Sequence, residues 1–230
     1  MNRGSSSLLC PPVARPVRAV RRAFLLAWLA SGLATAVSGP AIPSVASNDL
    51  IHLEVRDVQG RVVRPWAKGG DQPVLLFFLM HDCPAANGYA PEINRIVADY
   101  PQVRSHVVYP EATLKPAAAR DHVREYGFRC VALLDPAHRL VRAAGATLSP
   151  EAALVSARGE VLYLGRIDDR MAALGKRRPQ PTRRDLRLAL DAVLAGRPVP
   201  EPRTRAIGCY LPDPGPVSPG VVPEPKPSLP

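Results

Sequence analysis

The chain has 230 residues, 47% of them apolar, which allows one domain of ordinary size with appendages and excludes a wholly disordered polypeptide. Its formal charge is +10, but Arg3, Arg15, Arg18, Arg21 and Arg22 supply half of that before residue 37, with no acid among them. The remaining +5 forms no basic stripe interleaved with aromatics, so nucleic acid is not an expected partner.

The first predicted element is an export signal. The basic stretch "RPVRAVRR" precedes the apolar run "AFLLAWLASGLATAV", about 15 residues long and short for a bilayer span of about 20. Ala34-Thr35-Ala36 offers a small-residue cleavage site, with sites nearer Ala46 as the alternative. Arg21-Arg22-Ala23-Phe24-Leu25-Leu26 partly resembles a twin-arginine signal, with Val20 where Ser or Thr is usual. Residues 1–36 are therefore expected to be a signal peptide, with an uncleaved N-terminal anchor as the alternative. Any membrane contact is expected through this segment alone. The expected location is the periplasm or cell envelope. Cleavage would remove Cys10 and leave Cys83, Cys130 and Cys209 in an oxidising compartment.

Residues 37–49 read as a Pro/Ser/Ala linker. "LIHLEVRDVQGRVVRPW" alternates apolar and polar residues around Gln59-Gly60 and predicts an N-terminal hairpin. "PVLLFFLM" (73–80) has the continuous apolar character of a strand buried on both faces. A helix is expected from Pro84 to Tyr100, with Ile93, Ile96, Val97 and Tyr100 at helical spacing. "VRSHVVY" (103–109) predicts a strand, "AAARDHVREYG" a helix closed by Gly127, "CVALLD" (130–135) a strand and "AHRLVRAAGA" a short helix. "EAALVSARGEVLYLGR" predicts two strands around Ala157-Arg158-Gly159. "TRRDLRLALDAVLAGRP" predicts an amphipathic helix with Thr182 as N-cap and Gly196 at its end. Strands alternating with helices imply an α/β domain over residues 50–209, with a central mixed sheet flanked by helices. Residues 210–230 are rich in proline, eight of the last 19 residues, and predict an extended tail without a core.

"MHDCPAANGY" (80–89) puts Cys83 where the buried strand meets the helix. A thiol reacts as its thiolate, which a helix N-terminus stabilises, and Pro84 suits the first helical position because its missing N–H would have had no partner. A protonated His81 would favour the thiolate and Asp82 would oppose it. The alternative is a buried, inert cysteine.

Three stretches carry a family resemblance. "FFLMHDCPAANGYAPEINRI" resembles the strand–Cys-Pro–helix element of thioredoxin-like redoxins. "GATLSPEAALVSARGEVLYLGRIDDR" is similar to the redoxin segment with the cis-proline, at Ser149-Pro150, and its hairpin. "PTRRDLRLALDAVLAGRPVPEPRTRAIGC" is similar to the closing helix and Gly-Cys ending of an envelope subgroup. The resemblance is to redoxin domain proteins of the bacterial envelope, of the alkyl hydroperoxide reductase and thiol-specific antioxidant kind. It implies a thioredoxin-like fold and thiol redox chemistry. The sequence departs from better-known patterns. Ala86 breaks C-x-x-C, Asn87 breaks C-x-x-x-C, and Leu76 and Met80 replace the Pro and Thr of P-x-x-x-T-x-x-C.

A cis-proline at 150 would leave the backbone of Ser149 free to pair with a bound peptide. A single reacting thiol also needs a second to resolve its mixed disulfide or sulfenic acid. Cys209 is the candidate, because its Pro/Gly-rich segment can fold back over the sheet; a permanent Cys83–Cys209 disulfide is the alternative. Cys130 begins an apolar strand and reads as core. In "RIDDR", Arg166, Asp168 and Asp169 either serve proton transfer near Cys83 or hold a loop together. The five histidines lack metal-ligand spacing, so no metal and no cofactor is expected. The leading expectation is an exported thiol–disulfide oxidoreductase acting through Cys83 on protein thiols and disulfides. A thiol peroxidase consuming peroxide, and a redox-inactive binding or scaffold module, are the alternatives.

Overall fold

The computed structural model describes residues 48–66 and 71–213. The signal or anchor segment, Cys10, the linker before Asn48 and the tail beyond Asp213 lie outside the described residues. The elements in chain order are α1 (Asn48–Ile51), β1 (Val55–Asp57), β2 (Val62–Val63), β3 (Val74–Phe78), α2 (Pro84–Asn87), α3 (Ala90–Asp99), β4 (Arg104–Tyr109), α4 (Pro116–Glu125) and β5 (Val131–Leu134). They continue with α5 (Arg139–Ala144), β6 (Leu148–Ser149), β7 (Glu151–Val155), β8 (Val161–Gly165), β9 (Met171–Ala173), β10 (Lys176–Arg177), α6 (Asp185–Leu194) and β11 (Cys209–Tyr210).

Seven strands form the central sheet in the order β2-β1-β5-β4-β3-β7-β8. β3, β4 and β5 run parallel, because each is linked to the next by helical crossovers. β7 and β8 extend one side antiparallel, and the N-terminal hairpin β1–β2 extends the other. Every side chain of β3 is buried, since successive residues face opposite layers. Leu75 and Phe77 pack with Ile93 and Ile96 of α3 and Leu186 and Leu190 of α6. Leu76 and Phe78 pack with Leu50 beside α5 residues Leu140 and Val141. Helices cover both faces, as the continuous apolar strand implies. Together with the cis Ser149-Pro150 bond ahead of the β7–β8 hairpin, this is a thioredoxin-like α/β fold.

Three local expectations are corrected, and one small element is new. The N-terminal hairpin starts at Val55, because Leu50 and Leu53 are both buried and the chain coils through α1 to bury them. The helix expected over 84–100 is interrupted after Asn87. Pro91 has no N–H for the Asn87 carbonyl, so the ladder stops and restarts at Ala90. Thr182 does not cap α6, whose N-cap is Arg184. The Thr182 amide and hydroxyl both donate to Asp169, holding the chain outside the helix. The basic loop after "RIDDR" contains the small hairpin β9–β10, turned by Leu174 and Gly175.

Candidate thiol site

The strand–helix junction places Cys83 as N-cap of α2, with extended backbone (φ −83°, ψ 110°) and Pro84 in the first turn. Asn87 N–H donates to the Cys83 carbonyl at 3.0 Å. Because α2 is a single turn, the favourable dipole at the sulfur is that of one turn only. Cys83 is 1% exposed and packs in the core layer with Ala86 and Tyr89. Its Sγ donates to the Ser149 carbonyl at 3.3 Å.

Ser149 braces this turn twice, since its Oγ also accepts from Met80 N–H at 2.8 Å. Behind it, the buried Glu151 carboxylate accepts from Thr147 and Leu148 N–H at 2.7 and 3.2 Å. The expectation that the Ser149 backbone stands free for a peptide is not met. The chain's own β11 pairs antiparallel with β6, Cys209 opposite Ser149 and Tyr210 opposite Leu148. The segment is anchored upstream by Leu164 N–H to Pro202 O and Thr204 N–H to Leu164 O, and downstream by Leu211 N–H to Thr147 O. Two glycines permit this close approach. A Cβ at Gly208 would overlap the Ser149 carbonyl, and one at Gly165 would overlap the Thr204 backbone.

The register brings Cys209 to Cys83. Cys209 is half-buried, and both thiols are free. Burial, the neighbouring Cys83 side chain and the charge of Asp82 push the Cys209 thiol up to about 11. Cys130 sits away from the pair, against the core layer, where burial pushes it up to about 11.

His81 donates its backbone N–H to Glu111 at 2.8 Å, and its Nδ1 lies 2.7 Å from the same carboxylate oxygen. The Asn87 amide joins the His81 carbonyl to His122, whose other ring nitrogen meets Tyr109 OH at 2.7 Å. Burial and the nearby His81 hold the His122 imidazole down at about 4, so the network is neutral there at physiological pH. This Tyr109–His122–Asn87–His81–Glu111 chain leaves no spacing signature, since its members come from three separate stretches, 81–87, 109–111 and residue 122. Ligand-type atoms of His81, Asp82 and Glu111 come within 4.8 Å of one another, a grouping that sequence spacing did not indicate.

The "RIDDR" residues are each held by hydrogen bonds of their own. Arg166 Nε donates to Asp185 at 2.6 Å. Asp169 accepts from Thr182 and Arg183. Burial raises its carboxyl, but those hydrogen bonds and the Arg178 charge outweigh that and hold it at about 2. Asp168 accepts from Tyr89 OH at 2.7 Å and from Arg170 N–H at 2.9 Å. It lines a cavity of about 10 Å³ with Pro150 and Ile207, room for about one water. None of the three has a hydrogen bond to Cys83 or Cys209 among the described residues.

No protein-family model matches the chain, and no curated protein matches it. Solved structures do. The chain is similar to an uncharacterized conserved protein of Geobacillus kaustophilus, at 26% identity over 69% of this chain and 87% of that one, with a TM-score of 0.60. It is similar to a hypothetical protein of Sinorhizobium meliloti at 23% identity over 69% and 89%, again with a TM-score of 0.60. A partial likeness to a secreted disulfide oxidoreductase of Mycobacterium tuberculosis spans 50% of this chain and 83% of that one, at 18% identity and a TM-score of 0.44.

Proposed function

We propose that the protein is a thiol–disulfide oxidoreductase whose redox couple is Cys83 and Cys209, exported to the bacterial envelope by residues 1–36 and acting on the thiols and disulfides of other proteins. The observation that carries this reading is the meeting of the two thiols. Cys209 lies in register with Ser149, whose carbonyl accepts from Cys83, so strand pairing sets the two thiols beside one another. A C-x-x-C pair is thereby replaced by a pair 126 positions apart in the chain, joined by strand pairing. Two-electron exchange needs both sulfurs within bonding reach and one of them within reach of a partner.

Disulfide exchange suits the surroundings of Cys83 better than peroxide chemistry. The sulfur faces an acceptor, Ser149 O, whereas polarising an O–O bond calls for donors. Met80 and Leu76 supply no hydroxyl or ring at the positions where the peroxidase pattern has Thr and Pro.

The test is reduction of a peptide disulfide by the mature protein with dithiothreitol as electron source. Wild type accelerates the reaction, and Cys83→Ser and Cys209→Ser each lose that acceleration, while Cys130→Ser keeps it. Equal rates with and without the protein would overturn the reading. The burial of Cys83 favours one second reading, a binding module stapled by a permanent Cys83–Cys209 disulfide. Such a bond would resist reduction by a glutathione buffer.

A further inference from the structure

The two sulfurs are unequal in access. Cys83 is 1% exposed within the core layer, while Cys209 is half-buried on β11, the strand paired with β6. Thiol–disulfide exchange is a substitution at sulfur in which the attacking thiolate, the attacked sulfur and the leaving sulfur lie in a line. Cys83, 1% exposed in the core cluster with Ala86 and Tyr89, offers an incoming thiolate no approach from solvent, whereas Cys209 keeps part of its surface exposed.

Resting on the function proposed above, we infer that Cys209 is the sulfur that exchanges with the partner protein and that Cys83 is the internal, resolving thiol, the reverse of the roles expected from the position of Cys83 before Pro84. In the oxidising direction a partner thiolate attacks Cys209 Sγ. The new bond joins the partner sulfur to Cys209, the Cys83–Cys209 bond breaks, and its electron pair leaves on Cys83 Sγ. Cys83 takes up a proton from solvent and donates it to Ser149 O, the hydrogen bond seen in the dithiol form. A second thiolate of the partner then attacks the partner sulfur of the mixed disulfide, closing the partner's own disulfide and releasing Cys209 as a thiolate. The partner dithiol is oxidised by two electrons and the Cys83–Cys209 bond is reduced. A partner disulfide restores the couple by the same steps in reverse, with Cys83 attacking Cys209 to release the partner.

The Ser149 backbone, which would otherwise hold a partner's strand, is filled by β11, so the exchanging sulfur is presented one strand farther out.

The test uses the oxidised wild-type protein and reduced glutathione as the probe thiol, quenched by acid after short times, with N-ethylmaleimide blocking free thiols before peptide mapping. The glutathione adduct is expected on Cys209 and the maleimide on Cys83, with at least tenfold more adduct on Cys209 than on Cys83. The single variants provide a check that does not depend on trapping. Cys83→Ser should form a mixed disulfide with oxidised glutathione at least tenfold faster than Cys209→Ser does. Adduct mainly on Cys83, or faster reaction of Cys209→Ser, overturns the role assignment while leaving the redox couple intact. Absence of any Cys83–Cys209 disulfide in the oxidised protein overturns the couple itself.

Discussion

The Cys83 turn and the Cys209 segment deliver the same atom by opposite means. Cys83 is placed by neighbours in sequence: a buried strand ends at Phe78, Pro84 starts one helical turn, and Ser149 ties the connection down. Cys209 is placed by residues far away. Its segment is pinned to Leu164 and Thr147 and fits only because Gly165 and Gly208 carry no side chain. A site made this way keeps one thiol fixed by the core and hangs the other on a strand that small changes can lift.

The largest expected effect falls on the region built from the core. Phe77→Ala empties a fully buried site between β4 and β7 and should cost about 3–5 kcal/mol in denaturant unfolding. It should unfold both regions together in one transition. Loss of Cys209 docking at lower denaturant than the sheet would contradict this.

Next in size is the strand side. Gly208→Ala pushes a methyl group into the Ser149 carbonyl, so backbone must move. The expected cost is about 1–3 kcal/mol in stability. Exchange should slow by roughly a hundredfold, since a displacement of about 1 Å is enough for such a loss. Cys83, uncovered, should become alkylable in the native protein. Unchanged protection of Cys83 would mean that β11 does not cover it.

A smaller effect separates the fold's pH response from that of the thiols. His106 is buried on β4, and burial together with the Arg104 charge outweighs a backbone contact with Val131 and lowers it from 6.5 to about 4. The folded protein therefore refuses a proton that the unfolded chain takes up below 6.5. Stability should fall as pH drops from about 6.5 to about 4 and level off below. His106→Leu should flatten that limb and raise stability at pH 5, with exchange kinetics at pH 8 unaltered. An acid limb unchanged in the variant would assign the loss to other groups.

The smallest effect is electrostatic. The exposed Asp82 contributes to holding the Cys209 thiol up and repels anionic thiols arriving there. Asp82→Asn should speed reaction with glutathione a few-fold at low salt, with the gain shrinking as salt is added. A salt-independent gain would point to a steric cause.

Much of the fold was legible, because it rests on local signals: "PVLLFFLM" as a doubly buried strand, Gly60 and Gly159 as turns, the helical spacing of Ile93 and Ile96. Pro91 was visible as a helix breaker, yet the apolar spacing that follows it masked the break. Thr182 read as a cap because its competitor, Asp169, is thirteen residues away and binds it only in the folded chain. The Cys83-Pro84 and Ser149-Pro150 turns were readable from the sequence. The pairing of Cys209 with Ser149 was not, since strand register between distant segments has no local signature. The same holds for Tyr89 and Asp168, and for the chain from Tyr109 to Glu111. Gly208 beside Cys209 was the one sign of close approach available in advance.

The central claim is that Cys83 and Cys209 interconvert between dithiol and disulfide in exchange with partners. Equilibrating the protein in glutathione buffers of graded potential, then measuring the Cys83–Cys209 disulfide by mass after acid quench, tests it directly. The account predicts a single two-electron transition, lying above about −300 mV, the range of exchanging rather than structural bonds. A pair that stays fully bonded throughout that range, or never bonds at all, would contradict it.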